Sequence, residues 1–65
     1  MTDDKLKKLI NSKMKLYGYD ADYMAVKLRI KRVTWYKRMQ HPLRMRIGDM
    51  YQVEKILHLG LINEN

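Results

Sequence analysis

Apolar side chains near the start of the chain recur at spacings of three and four residues, which places them on one face of a helix. They are Leu6, Leu9, Ile10, Met14 and Tyr17. Thr2 is a suitable N-cap for this helix, and Gly18 suits the left-handed position that follows a helix C-terminus. The pattern therefore predicts a first helix over about residues 3–17, with lysines on its opposite face.

A second stretch with this spacing lies near the end of the chain. Its apolar residues are Ile47, Met50, Val53, Ile56, Leu57 and Leu59. They predict a helix over about residues 47–59 that Gly60 ends. Beyond it, Leu61 and Ile62 either close the bottom of the domain or stay exposed at a contact between two copies of the chain.

Between these two stretches, the chain predicts two short helices that meet at a tight turn. The first covers about residues 21–28, with Asp20 as its N-cap and Leu28 on its inner face. Ala25 lies in the middle of this helix. A small side chain is needed there because two helices that cross over a short turn approach each other closely.

The turn after this helix is Arg29-Ile30-Lys31. Arg29 stands where a left-handed residue, often Gly, is typical, and a non-Gly residue in that conformation costs about 1–2 kcal/mol. Either the turn differs slightly here or the protein tolerates the strain. The next helix covers about residues 32–40, turns Trp35 and Met39 inwards, and cannot continue past Pro42. We therefore predict an all-α fold, a compact four- to five-helix bundle in which the second and third helices form a helix-turn-helix within a single domain over residues 1–65.

The chain carries a formal net charge of +7 and a pI near 9.9. No acidic residue occurs between Tyr23 and Gly48, a span that holds eight of the 14 Lys and Arg residues. A small, strongly basic domain of this kind favours an anionic partner, with nucleic acid ahead of a membrane surface or an acidic protein. The alternative is that the lysines only keep the protein in solution.

The residues that carry catalysis or bind metals are sparse. There is no Cys, and His41 and His58 lie 17 residues apart with no paired carboxylate at ligand spacing. Ser12 has no base nearby, and no Gly-rich phosphate loop occurs. We therefore expect no enzymatic activity, no metal, no cofactor and no small-molecule ligand. No apolar run is long enough to span a bilayer and the N-terminus lacks a signal-peptide core, so we expect no membrane partner and a cytoplasmic protein.

The third predicted helix contains an aromatic-Tyr-basic-basic-apolar run from Trp35 to Met39, and Pro42 follows after a short gap. Together with the apolar pattern after it, this run resembles the lambda-repressor-like (Cro/XRE) helix-turn-helix family, in particular small phage and prophage regulators. The resemblance covers about residues 5–60. It implies a sequence-specific transcriptional regulator that binds double-stranded operator DNA in the bacterial host cytoplasm, associated with the nucleoid. It also implies a homodimer, at least on DNA, and a near-palindromic site.

The resemblance further implies which residues face the DNA. The positions that match the family's base-contacting residues are Lys31, Arg32, Val33, Tyr36 and Lys37. The candidates for phosphate contacts are Lys27, Arg38, Gln40, Arg44 and Arg46. Two acids at the start of the second helix, Asp20 and Asp22, depart from the family pattern, because a carboxylate there repels phosphate unless it only caps the helix.

A second hypothesis keeps the helix-turn-helix fold without operator binding. In that case the protein is an interaction module, for example a phage antagonist of a host protein. Binding to RNA or to a membrane surface is disfavoured. RNA is disfavoured because RNA-binding modules usually present stacking aromatic side chains on a sheet. A membrane surface is disfavoured because the first helix is not strongly apolar on one side.

Overall fold

Four α-helices meet around one hydrophobic core. A computed structural model describes residues 1–61, and within them it contains α1 (Asp3–Tyr17), α2 (Ala21–Leu28), α3 (Arg32–Gln40) and α4 (Ile47–Leu57). A 3-10 turn, Pro42–Arg44, lies between α3 and α4, and residues 1–61 contain no strand. This part of the chain is therefore a compact all-α globule, with a radius of gyration of 10.9 Å.

Every α-helix contributes to the core. Its largest buried side chain is Trp35 of α3, which is 2% exposed. The other buried members of this cluster are Leu6, Ile10, Met14, Met24, Val53, Leu57 and Leu59. Met39 and Ile30 are partly buried and pack against the cluster. The inward orientation predicted for Trp35 and Met39 is confirmed.

The first two helices begin and end in the same way. The side chains of Thr2 and Asp20 cap α1 and α2 by accepting hydrogen bonds from the backbone three residues later, as predicted. Both helices then end in a left-handed residue, Gly18 after α1 and Arg29 after α2. In each case the backbone N–H groups of the left-handed residue and of the residue after it donate to carbonyls of the last turn of the helix, which is the Schellman arrangement.

Arg29 adopts this conformation without the advantage of a glycine. Its φ of 57° and ψ of 43° lie in the left-handed region, where an L side chain crowds the following carbonyl. Two hydrogen bonds hold it there, from the N–H of Arg29 to Val26 and from the N–H of Ile30 to Ala25. Ala25 is buried beneath this turn, in agreement with the small residue expected where α2 meets α3.

The last helix is shorter than the apolar pattern predicts. We expected a helix to residue 59 with Gly60 at its end, but α4 stops at Leu57 and His58 takes the left-handed position, with φ 54°. The physical reason is a side chain. The carboxylate of Glu54 accepts hydrogen bonds from the backbone N–H groups of Leu59, Gly60 and Leu61, so these groups turn back towards α4 instead of continuing the helix.

Two residues assigned to apolar faces are more exposed than expected. Ile47 is 87% exposed, because it is the first residue of α4 and its Cα–Cβ bond tilts beyond the helix N-terminus. Tyr17, the last residue of α1, is also exposed and contacts the rings of Tyr19 and His58 at the edge of the protein. Leu61 is exposed as well, whereas Ile62 lies outside the described residues.

The 3-10 turn is tied to the start of the chain. The Asp3 carboxylate accepts a hydrogen bond of 2.9 Å from the backbone N–H of Leu43, and its other oxygen lies 3.3 Å from Nδ1 of His41. These contacts lower the pKa of Asp3 below its usual value, first through the Leu43 hydrogen bond and then through His41, although burial opposes the shift. Asp3 therefore fixes the segment that leads from α3 to α4.

Candidate nucleic-acid interface

The outer surface of α3 is the centre of the candidate site. Successive residues of a helix lie about 100° apart, so with Trp35 buried the residues furthest from the core are Val33, Lys37 and Gln40. Arg32 and Tyr36 flank them on one side, and Thr34 and Arg38 on the other. Val33 and Tyr36 are each 56% exposed, although both are large hydrophobic residues. The structure thus leaves four of the five base-contact candidates exposed on α3 and the fifth, Lys31, exposed immediately before it.

The start of α3 lacks the usual stabilisation of a helix N-terminus. Lys31 is its N-cap residue and makes no side-chain cap hydrogen bond, and no acidic residue occurs in the first turn. Lys31 and Arg32 instead place positive charge at the positive end of the helix dipole, which costs about 0.3–1 kcal/mol per charge near the surface. An anion bound at this end would relieve that repulsion.

Arg32 has a carboxylate partner from the neighbouring helix. Its Nη1 atom lies 3.0 Å from Oδ1 of Asp22 on α2. Both side chains are mostly exposed, so the pair contributes at most about 0.2–1 kcal/mol to stability. The two acids at the start of α2 therefore have different roles: Asp20 caps the helix, and Asp22 binds an arginine of α3.

A groove of about 630 Å³ runs along the other side of α3, between α3, the 3-10 turn and the start of α4. It brings together three of the phosphate-contact candidates and one base-contact candidate. The residues that line it are Thr34, Lys37, Arg38, His41, Arg44, Met45, Arg46 and Asp49. Four cations thus face a single carboxylate across one open groove, and its positive charge attracts anions.

The one acid in this groove is already paired. Oδ2 of Asp49 lies 3.7 Å from Nη2 of Arg38, and the pair is only partly exposed. This contact holds Arg38 along the wall of the groove that α4 forms. Lys37, Arg44 and Arg46 have no carboxylate partner among the ion pairs of residues 1–61, so their charges are directed to solvent or to a ligand.

The remaining candidates lie outside this groove. Gln40 and Tyr36 line a second cavity of about 440 Å³ between α1 and α3, together with Lys7 and Asn11 of α1. Lys27 lies on α2 with its Nζ atom 5.5 Å from the ring centroid of Tyr23. That ring stacks on Tyr19 at a centroid distance of 4.1 Å. The structure therefore divides the candidate residues among the outer face of α3, the groove beside it, the cavity between α1 and α3, and the surface of α2.

The described residues contain no metal-binding cluster: nowhere in residues 1–61 do three His, Asp or Glu side chains converge. None of the helices in this range is long and apolar enough to cross a membrane.

Comparison of the chain with known families, with curated proteins and with solved structures finds no match.

Sequence reasoning missed the acids that organise this site. Asp22, Asp49 and Asp3 each bind a group that is ten or more residues away, on α3 or on the segment after it. The sequence contained one sign of such a contact. When one residue already caps a helix, a second acidic residue in the first turn is available to bind another side chain. Asp22 meets this condition, since Asp20 is the cap of α2.

Proposed function

We propose that this protein is a sequence-specific DNA-binding transcriptional regulator of the phage or prophage type. In this proposal α2 and α3 form a lambda-repressor-like helix-turn-helix, and α3 enters the major groove. The observation that carries it is the exposed outer face of α3 beside a groove lined by Lys37, Arg38, Arg44 and Arg46. A convex helix with cations along its flank matches the shape and charge of duplex DNA.

The proposal assigns separate tasks to the exposed residues. At the start of α3, Arg32 and Lys31 present N–H donors that can read the O6 and N7 edge of guanine, and Val33 can pack against a thymine methyl. In the groove, Arg38, Arg44 and Arg46 neutralise phosphates and fix the register without reading sequence. The phosphates also supply negative charge beside Lys31 at the uncapped N-terminus of α3, where this cation is otherwise unfavourable.

The proposal includes two copies of the protein on a near-palindromic operator. Two recognition helices related by a two-fold axis would lie about 34 Å apart, one turn of the duplex. A regulator of this kind acts by occupying its operator, which blocks or recruits RNA polymerase. The amount of protein in the cell is then the regulatory signal.

Selection of bound duplexes from a random pool tests the function directly. We expect an enriched near-palindromic sequence whose half-sites are one helical turn apart. The affinity for that sequence should fall steeply with salt, with a slope of log K against log [salt] of about −0.9 per phosphate neutralised. A pool with no enriched sequence, and no salt-dependent binding to any duplex, would reject the proposal.

Two variants separate base reading from phosphate binding. Arg32→Ala should lower affinity for the selected operator by about 1–3 kcal/mol and relax the preference at one base pair. Arg44→Ala should weaken binding to all duplexes to a similar extent and reduce the salt slope by about 1. An unchanged operator affinity for Arg32→Ala would show that α3 is placed incorrectly on the DNA.

One observation favours a second candidate function, a protein-interaction module on the same fold. Leu43 and Ile47, which adjoin the groove residues Arg44 and Arg46 in the sequence, are both exposed, and exposed apolar residues near cations suit a protein partner with an acidic, apolar surface. The salt titration with duplex DNA separates the two functions. A protein that binds no duplex at low salt but forms a tight complex with a purified host protein would be an interaction module.

A further inference from the structure

We propose that Asp22 is a positioning residue that determines how strictly Arg32 reads its base pair. The inference rests on the DNA-binding function proposed above. Its starting point is the contact between two helices: Oδ1 of Asp22 on α2 lies 3.0 Å from Nη1 of Arg32 at the start of α3. Both side chains are largely exposed, so the pair lies on the surface that DNA would meet.

The geometry leaves Arg32 free to contact a second group while it is held. A guanidinium is planar and carries five N–H donors, and a guanine edge accepts two of them in parallel. The structure shows one contact, at Nη1, so donors remain for a base. An unpaired arginine on a surface samples many rotamers, whereas one held by a carboxylate presents its donors in few directions. Asp22 thereby restricts the base pairs that Arg32 can reach.

Asp22 also acts on DNA that lacks the preferred base. A carboxylate at this surface repels phosphates and lowers the affinity for every duplex. This repulsion is the same for every sequence and does not discriminate by itself. On sequences without the preferred base, however, an unrestrained Arg32 would turn to a nearby phosphate, and the contact with Asp22 opposes that turn. Asp22 should therefore lower non-specific binding more than operator binding, which raises the ratio of the two affinities.

Asp49 provides a matched control for the effect of Asp22 on base preference. Asp49 of α4 lies 3.7 Å from Arg38, the other arginine of α3. That pair lies in the groove of phosphate-contact candidates, away from the start of α3. Replacement of either Asp by Asn removes one negative charge beside one α3 arginine, so the change in net charge is the same. Only the Asp22 pair involves a base-contact candidate.

The test measures the dissociation constants of purified full-length variants for three kinds of duplex. These are the selected operator, operators with single base-pair changes and a random duplex. We expect Asp22→Asn to reduce the ratio of operator to random affinity by roughly two- to fivefold, the most that an exposed ion pair can contribute, and to relax the preference at the same base pair as Arg32→Ala. Asp49→Asn should raise affinity for all three kinds of duplex without changing any base preference.

A double variant shows whether Asp22 acts through Arg32. In an Arg32→Ala background, Asp22→Asn should no longer alter base preference and should only raise affinity for all duplexes alike. Thermal melts of the Asp22 and Arg32 variants should stay close to that of the wild type, because this pair is exposed and contributes at most about 1 kcal/mol. Base preference is a readout that a purely structural role for Asp22 would not change.

Two results would overturn the inference while leaving the DNA-binding function intact. In the first, Asp22→Asn shifts operator and random affinities by the same factor, as Asp49→Asn does. In the second, its effect on base preference persists when Arg32 is absent. If the wild-type protein binds no duplex at any salt concentration, the proposed function and this inference are both rejected.

Discussion

Glu54 should be the most important charged residue for the stability of the fold. It is 7% exposed, near the end of α4. Its carboxylate accepts hydrogen bonds from three consecutive N–H groups, those of Leu59, Gly60 and Leu61. These bonds bring the chain back over the end of α4 and place Leu59 in the core, 8% exposed. Glu54→Ala removes the acceptor for all three groups.

The size of the effect depends on what the freed segment does. If the segment stays in place, the buried N–H of Leu59 has lost its acceptor, which costs about 1–3 kcal/mol. If the segment lifts away, Leu59 leaves the core, which costs about 1.5–3 kcal/mol. In either case, the space left by the missing Glu54 side chain further lowers the free energy of unfolding. We therefore expect a loss of about 2–4 kcal/mol, a large part of the roughly 3–10 kcal/mol that a domain of 65 residues typically has.

Urea denaturation followed by tryptophan fluorescence measures this loss. Trp35 is the single tryptophan and is buried, so its emission reports the opening of the core. Gln52→Ala is the matched control, because Gln52 is exposed on the same helix and should change stability by less than about 0.5 kcal/mol. The urea midpoint of Glu54→Gln, which keeps one oxygen acceptor, should fall between those of Glu54→Ala and Gln52→Ala. A Glu54→Ala midpoint equal to that of Gln52→Ala would refute this account of how α4 ends.

Three further predictions concern the local structure that holds α3 in place. Ala25→Leu should overpack the contact under the α2–α3 turn and destabilise the protein by about 1–3 kcal/mol or more in a thermal melt, whereas Val26→Leu, at the exposed neighbouring position, should melt like the wild type. Arg29→Gly should raise the urea midpoint, with a gain in the free energy of unfolding of up to about 1 kcal/mol, because glycine adopts the left-handed conformation without strain; a lower midpoint would mean that Arg29 makes a stabilising contact that offsets the strain. Asp3→Asn should destabilise the protein at pH values well above 3.8, the ordinary pKa of Asp3. Since folding lowers that pKa, the stabilisation is present above the unfolded value and is lost as the pH falls through the folded value. The gap between variant and wild type should therefore close in acid, and a gap that stays constant with pH would contradict the role assigned to the Asp3 carboxylate.

Much of the helical structure could be predicted because its causes are local. Asp20 caps α2 through a hydrogen bond to a residue only three positions away, and the inward position of Trp35 follows from the period of the helix. The sequence left open whether Arg29 takes the left-handed conformation, and the structure shows that it does. The end of α4 was predicted two residues late, because the apolar pattern continues to Leu59 while a carboxylate, not a glycine, terminates the helix.

The candidate site was predictable as a set of residues but not as an arrangement. The absence of acids between residues 23 and 48 identified the basic segment, and helical periodicity placed Val33 and Tyr36 on its outer side. The sequence contains no direct sign that Arg44 and Arg46 share a groove with Lys37 and Arg38. That depends on the 3-10 turn, which the backbone N–H of Leu43 ties to Asp3 across 40 positions.

The sequence by itself determined the positions of the helices, the caps of the first two and the excess of positive charge around α3. These follow from interactions within a few residues, so the order of the amino acids is enough to infer them. Only the tertiary structure decided which charges are paired. It placed Asp22 against Arg32 and Asp49 against Arg38, and among the ion pairs of residues 1–61 it gives Lys37, Arg44 and Arg46 no carboxylate partner. The reason is that each pairing joins side chains from different helices, whose relative position is set by packing around Trp35 and the rest of the core.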